Sequence, residues 1–325
     1  MKERKAVMNP VFNDAITLEE AAVCSRSRPF LPYQPEPVIS KLPYDDPLQP
    51  LEPLRVFDNV YWLGSRHVGA IVIDTGEGLI MIDSGSDDKE AAYIADSFAK
   101  LGLDVSTVKL IIASHEHFDH YGGMKYLLRE SCPGAMAAIS RVGWNLLQTV
   151  PTEFAFIEPR PLTPDILLDD GLCLKLGDTR LLCIATPGHS AGCFSFIFSS
   201  SLHGEELTVG FMGGSAVWPN FPEARIYQAS VDVFSLYANA AGCNAFTGTH
   251  QRESALDAVR DHWSKGTPHP WVCPKEEYDK AYLQSFRNFL MNTIYSGYMQ
   301  PYMRPAMGGH EPAPEGSPLP PRESL

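Results

Sequence analysis

The stretch that decides the fold is Val108-Lys109-Leu110-Ile111-Ile112-Ala113-Ser114-His115-Glu116-His117-Phe118-Asp119-His120-Tyr121-Gly122-Gly123. It opens as a short apolar run, which predicts a buried strand over 108–113. Four metal-ligand side chains then follow within six residues. A His-x-His pair on extended chain points both imidazoles to one side, because side chains alternate with period two. Asp119 and His120, in the turn that follows, face a second position nearby. Imidazole nitrogens and carboxylate oxygens suit zinc and other borderline divalent metals. Gly122-Gly123 lets the next helix start close against such a site. A zincin His-Glu-x-x-His helix is excluded, since Asp119 stands four residues after His115. Glu116 therefore lacks that base role and reads as a solvated side chain or a support for the ligands.

Working outward, 56–63 reads as one strand. Residues 70–73 and 79–82 are apolar runs around Asp74-Thr75-Gly76-Glu77-Gly78, a hairpin signature. Asp83-Ser84-Gly85 ends the second run. Helical spacing marks 88–101 and 122–130, and 135–139 reads as a strand. A Pro-rich connection over 141–168 separates two halves of similar style. The second half opens with a hairpin, 172–176 and 181–185, across Gly177-Asp178. Strands follow at 193–198, 207–212 and 243–246, with helices at 230–241, 253–264 and 275–296. The last helix places Tyr278, Tyr282, Phe286, Phe289 and Leu290 on one face. Alternating strands and helices, with hairpins inside each half, predict an α/β protein with two packed sheets and helices outside.

The second half supplies two more histidines past strand ends: His189 in Thr186-Pro187-Gly188-His189-Ser190-Ala191-Gly192, and His250 in Thr247-Gly248-Thr249-His250. Six ligands make two sets of three, each with an open position, which is the arrangement of a catalytic rather than a structural zinc. On these motifs, residues 54–296 resemble the metallo-β-lactamase superfamily. The His-x-His-x-Asp-His string, the Asp-Ser-Gly, the Thr-Pro-Gly-His-Ser-x-Gly and the final Thr-His match it in order and spacing.

The resemblance implies an αββα four-layer sandwich with two zinc ions per chain at the sheet edge. His115, His117 and His189 would hold one ion and Asp119, His120 and His250 the other, similar to the third lactamase subclass. It further implies that Asp83 anchors the metal loop and that Asp119 orients the nucleophile. Many superfamily hydrolases carry a metal-bridging Asp after the fourth ligand. Here Phe211-Met212-Gly213-Gly214-Ser215 has no carboxylate. The expected reaction is therefore cleavage of a C–N or C–O bond at a carbonyl (β-lactam, lactone, ester or thioester) by a metal-activated water, not of a phosphodiester. Ser215 is a candidate contact to a substrate carboxylate or water. Trp218, Phe221 and Tyr227 are candidate pocket walls, with plain packing as the other reading. His67, His203, His262 and His310 lie outside the motifs, and His269, in a Pro-rich turn, reads as structural.

Gly188-His189-Ser190-Ala191-Gly192 also matches the nucleophile elbow of serine hydrolases. An elbow turns from strand into helix, whereas 193–198 reads as strand, and it leaves the ligands at 115–120 unexplained. Two further readings stay open: a non-catalytic binding member and an iron-loaded redox member of the same fold.

The chain has 325 residues and a formal net charge of 26 − 39 = −13. That balance argues against nucleic acid and anionic membrane as partners; the resemblance implies a small-molecule substrate. No apolar run approaches the roughly 18 residues of a membrane span, and the first residues lack the apolar core of a secretory signal. The seven cysteines are scattered, never as Cys-x-x-Cys, which fits a reducing compartment; the expected location is cytoplasmic. Prolines crowd both ends. The expected organisation is a Pro-rich arm over 1–53, one hydrolase domain over 54–300, and a disordered tail over 301–325.

Overall fold

The first ordered elements are a short strand β1 (Ile16–Thr17) and a helix α1 (Leu18–Arg26). Thr17-x-x-Glu20 is a capping box: Thr17 N–H donates to Glu20 Oε2 at 2.8 Å, and Glu20 N–H donates to Thr17 Oγ1 at 3.2 Å. The computed structural model describes residues 15–26, 48–149, 163–214 and 221–291; the tail expected over 301–325 lies outside them.

One sheet has seven strands in the order of the chain: β2 (Pro50–Phe57), β3 (Val60–Ser65), β4 (Gly69–Asp74), β5 (Leu79–Ile82), β6 (Val108–Ile112), β7 (Met136–Ser140) and β8 (Ile166–Leu168). It is antiparallel up to β5 and parallel from β5 to β8. The other has six strands: β1, then β9 (Cys173–Leu176), β10 (Thr179–Ala185), β11 (Phe194–Leu202), β12 (Glu205–Phe211) and β13 (Ala245–Thr247). Thus α1 and β1, within the stretch expected as an irregular arm, belong to the body. β1 extends the second sheet beside β9, and Leu18, Ala21 and Ala22 of α1 are buried in the core between the sheets.

Alternation along each strand makes the layers. Ile71, Ile73, Ile80, Ile82, Leu110 and Ile112 face Leu181, Cys183, Phe196, Phe198, Val209 and Phe211 in the core between the sheets. The intervening Ala70, Val72, Met81 and Ile111 pack outward on Ile94 and Phe98 of α2 (Asp88–Lys100). On the far side, Leu182, Ile184 and Ile197 pack on Ala224, Tyr227, Val231, Phe234 and Ala238 of a long helix (Phe221–Ala241). The result is a four-layer αββα sandwich. Both faces of the central strands are buried, so they read as continuous apolar runs.

Four local expectations change. Residues 56–63 are not one strand: the chain turns at Asp58-Asn59. Asp58 takes the N–H of His203 (3.1 Å) and of Gly204 (2.8 Å) and the Ser201 hydroxyl (2.9 Å), which ties this turn to the β11–β12 turn of the other sheet. The connection after β7 begins with a helix, Arg141–Thr149, whose first turn is capped by Ser140 Oγ accepting Gly143 N–H at 2.9 Å. The long helix expected from 230 starts nine residues earlier. The terminal helix contains a wide π-type turn, Asp279–Leu283. A wide turn shifts the helical register: Tyr278, Leu283 and Leu290 are buried, and Phe289 is 41% exposed.

His269 is structural. Its Nε2–H donates to the Val56 carbonyl at 2.9 Å, and its Nδ1 accepts Trp271 N–H at 3.1 Å. Those partners require a neutral ring. Burial, helped by His262 nearby, pushes its pKa down to about 4. The unfolded chain takes up this proton as pH falls below about 6.5, while the folded chain resists until about 4. The stability it contributes is full above pH 6.5 and is lost on going down to pH 4. His269→Gln removes the titration, so the wild-type advantage in urea midpoint should be largest at pH 7 and shrink steadily toward pH 4.

Candidate metal centre

The site forms where parallel strands β5 and β6 end side by side. Asp83 follows β5, and its N–H donates to the Ile112 carbonyl at 2.7 Å. Its φ is +66°, a left-handed conformation that Asp tolerates better than most side chains. The carboxylate is fully buried. Oδ1 accepts Ser114 N–H at 2.8 Å. Oδ2 accepts His120 Nδ1–H at 2.6 Å and the Thr249 hydroxyl at 3.0 Å.

These bonds set the exposed nitrogens. His120 spends Nδ1–H on Asp83, and His250 spends Nδ1–H on the His67 carbonyl at 2.8 Å. Each is left with an unprotonated Nε2 when neutral. His115 Nδ1 lies 3.0 Å from Ser114 Oγ, which leaves its Nε2 facing inward. The donors then converge in two groups, His115–His117–His189 and Asp119–His120–His250, the atoms of each lying within 4.8 Å of one another. In the first, His115 Nε2 lies 3.1 Å from His117 Nδ1 and 3.0 Å from His189 Nε2. In the second, His120 Nε2 lies 3.1 Å from His250 Nε2, and Asp119 Oδ2 lies 3.4 and 3.3 Å from the two rings. Tetrahedral bonds of roughly 2.0–2.1 Å place donors about 3.3 Å apart, so both groups fit a small divalent cation.

Electrostatics separate the groups. Burial, reinforced by the neighbouring rings, holds His115 well below the usual histidine range. Burial and His189 push His117 down to about 3. His115 and His117 are therefore neutral and free of competing protons at pH 7. In the second, burial opposes charge on His120, but Asp119 and Asp83 outweigh it and lift the pKa to about 10. Burial works against the Asp119 carboxylate as well, yet His120 and His250 hold it well below the usual carboxylate range. This group attracts positive charge. Asp119 Oδ1 is buried with no hydrogen-bond partner, a cost that a bound cation or its water would relieve.

The loops lock by close backbone approach. Ser84 N–H and its hydroxyl both donate to the His120 carbonyl, at 2.8 and 2.9 Å. A Cβ at Gly122 would stand 2.0 Å from the Ser86 carbonyl oxygen, and one at Gly123 2.2 Å from that of Ser84. Only glycine fits, which is why both precede the short helix at Met124–Tyr126.

Other expected residues fall elsewhere. Tyr227 is not a pocket wall: it is fully buried, and its hydroxyl donates to the carbonyls of Gly213 and Gly214. Ser215 and Trp218 lie outside the described residues, and Phe221 opens the long helix. Ser190 does not face a histidine base. Its hydroxyl donates to Glu116 Oε2 at 3.0 Å, and strand β11 follows, so the serine-elbow geometry is absent. Sequence reading missed Thr249, Ser114 and the His67 carbonyl as supports. Their backbone and hydroxyl roles leave no spacing signal.

The chain is similar to several known proteins. The family model described as the metallo-beta-lactamase superfamily matches residues 63–200. A probable metallo-hydrolase of Burkholderia pseudomallei is 25% identical over 186 residues, 52% of this chain and 61% of its own. The human acyl-coenzyme A thioesterase MBLAC2 is 32% identical over 173 residues, 47% of this chain and 56% of its own. The chain thus spans about three fifths of the length of these curated relatives. Among solved structures, BJP-1, a subclass B3 metallo-β-lactamase of Bradyrhizobium japonicum, superposes with a TM-score of 0.62 at 27% identity. That match covers 77% of this chain and 97% of BJP-1. Residues 63–200 thus match the metallo-beta-lactamase superfamily model, and the fold of the chain is similar to that of a subclass B3 metallo-β-lactamase.

Proposed function

We propose that the chain is a di-zinc hydrolase that cleaves a C–N, C–O or C–S bond at a carbonyl carbon of a small molecule. The observation that carries this is the pair of adjoining three-donor groups, one of imidazoles alone and one containing a carboxylate, with an unpartnered buried oxygen, Asp119 Oδ1, beside them. His115, His117 and His189 would hold one ion, and Asp119, His120 and His250 the other. When bound, such ions would supply a water whose pKa falls to about 7 and Lewis-acid polarisation of a carbonyl.

The protein's own groups do the positioning. Asp119 Oδ1 is placed to accept a hydrogen bond from the attacking water and fix its orientation. Asp83 holds the His120 ring so that Nε2, not Nδ1, faces the site. Gly213-Gly214 adds no carboxylate beside His189, which favours acyl over phosphodiester substrates. The names of the relatives, thioesterase and β-lactamase, both describe cleavage at an acyl carbon. No helix among the described residues is long and apolar enough to cross a membrane.

Metal-free protein should be inert toward a panel of thioesters, lactones and β-lactams, and zinc should restore turnover on one class. His117→Ala should abolish the zinc-dependent rate, and a fluorophosphonate serine reagent should leave it unchanged. Equal rates with and without zinc, or inactivation by the serine reagent, would overturn the proposal.

Asp83→Asn keeps the size of the side chain and its tolerance of positive φ but loses the charge on His120. Zinc affinity at the Asp119–His120–His250 group should fall about 10–100-fold, read by competition with a chromophoric chelator. Unchanged affinity would remove Asp83 from the machinery.

A further inference from the structure

Glu116 stands between two ligand histidines, yet it faces away from them. Its side chain is 1% exposed. Oε2 accepts the Ser190 hydroxyl at 3.0 Å, and Oε1 accepts Gly192 N–H at 3.3 Å. Both donors follow His189 closely on the loop between β10 and β11, in the other sheet. The carboxylate therefore spans from the loop that carries His115 and His117 to the loop that carries His189.

The surroundings are shaped to admit it. A Cβ at Gly192 would come 2.4 Å from Glu116 Oε2 and 2.5 Å from Gly143 Cα. A Cβ at Gly143, in the first turn of the helix after β7, would come 3.2 Å from the same oxygen and 2.8 Å from Ser140 Oγ. Three segments thus meet with bare backbone around one carboxylate. Next to it, Phe194 N–H donates to the Ser114 carbonyl at 2.9 Å, so loop and strand are laced at the same point. A solvated glutamate would need none of this.

We propose that Glu116 is a positioning residue that sets His189 against His115 and His117. By holding Ser190 and Gly192, the carboxylate fixes the short loop immediately after His189. The His189 Nε2 then stands 3.0 Å from His115 Nε2. The same contact gives the Gly-His-Ser-Ala-Gly pentapeptide a role: its serine is a clamp donor, and its last glycine is the space for the clamp. The inference rests on the metal-centre reading, and it concerns the three-histidine group alone.

The test is zinc titration of metal-free full-length protein against a chromophoric chelator, with the visible spectrum of the cobalt(II) form as a second readout. A His250→Ala background isolates the three-histidine group. In that background Glu116→Ala should weaken zinc about 10–100-fold and alter the cobalt spectrum; in a His117→Ala background, which isolates the other group, it should leave the affinity of Asp119–His120–His250 unchanged. Glu116→Gln should restore most of the affinity, because the amide still accepts Gly192 N–H and can donate to Ser190 Oγ. Ser190→Ala, which removes one of the two contacts and is the milder change to the fold, should give a smaller loss at the same group. Wild-type affinity in Glu116→Ala, or equal weakening of both groups, overturns the proposal. If Glu116→Ala does not fold, an unchanged three-histidine affinity in Ser190→Ala overturns it. Wild-type protein that binds no zinc at all overturns the metal-centre reading instead, so the two failures are distinguishable.

Discussion

The buried carboxylate of Asp83 is the constraint on which the rest of the site depends. It receives three hydrogen bonds from two other segments: Ser114 N–H and His120 Nδ1–H from the loop after β6, and the Thr249 hydroxyl from the loop after β13. A buried charge is tolerated only when paired or fully hydrogen-bonded. The left-handed backbone at Asp83 adds strain of order 1–3 kcal/mol. The three bonds offset both costs, but only if all three segments arrive together. That couples the end of β5, the loop after β6 and the loop after β13. A shift in any of them strands the carboxylate.

This coupling also divides the labour between the two donor groups. The first consists of imidazoles alone, and burial keeps two of them, His115 and His117, neutral. The second places His120 between two carboxylates, which stabilises positive charge strongly. A divalent ion in that group displaces a proton that the fold already favours. The asymmetry between the groups comes largely from Asp83 and Asp119, the two carboxylates beside His120.

Much of this was legible in the chain because the ligands are strand-end motifs. His115, His117, Asp119 and His120 lie in six residues, and His189 and His250 follow strands whose apolar runs are plain. The two-sheet α/β layout was legible for the same reason. What escaped reading has physical causes. The turn at Asp58-Asn59 carries no glycine or proline, and it is stabilised by contacts to a turn some 145 residues away. The helix after β7 was hidden by the prolines that follow it. The helix at Leu18–Arg26 did carry a local signal, the Thr17-x-x-Glu20 capping box, which the surrounding prolines obscured. Tyr227 and Glu116 stayed open between two readings because burial is a property of the fold: an aromatic in a loop-to-helix segment and a glutamate between histidines can be packed or solvent-facing until their partners are in place.

The last ligand shows how far the two halves depend on each other. His250 lies beyond residues 63–200, the span matched by the family model, and its loop leaves the second sheet. Yet its position is set by the first. Gly69 N–H donates to the Thr249 carbonyl at 3.0 Å, and the Trp62 indole N–H does so at 3.3 Å. The His67 carbonyl then takes His250 Nδ1–H. Trp62 is itself wholly buried between the sheets, so the indole is fixed by core packing before it meets Thr249. Core packing at β3 and β4 therefore aims a histidine that the second half supplies. Sheet-on-sheet packing and donor geometry are one constraint here, and the donors form a site only when the whole sandwich is closed.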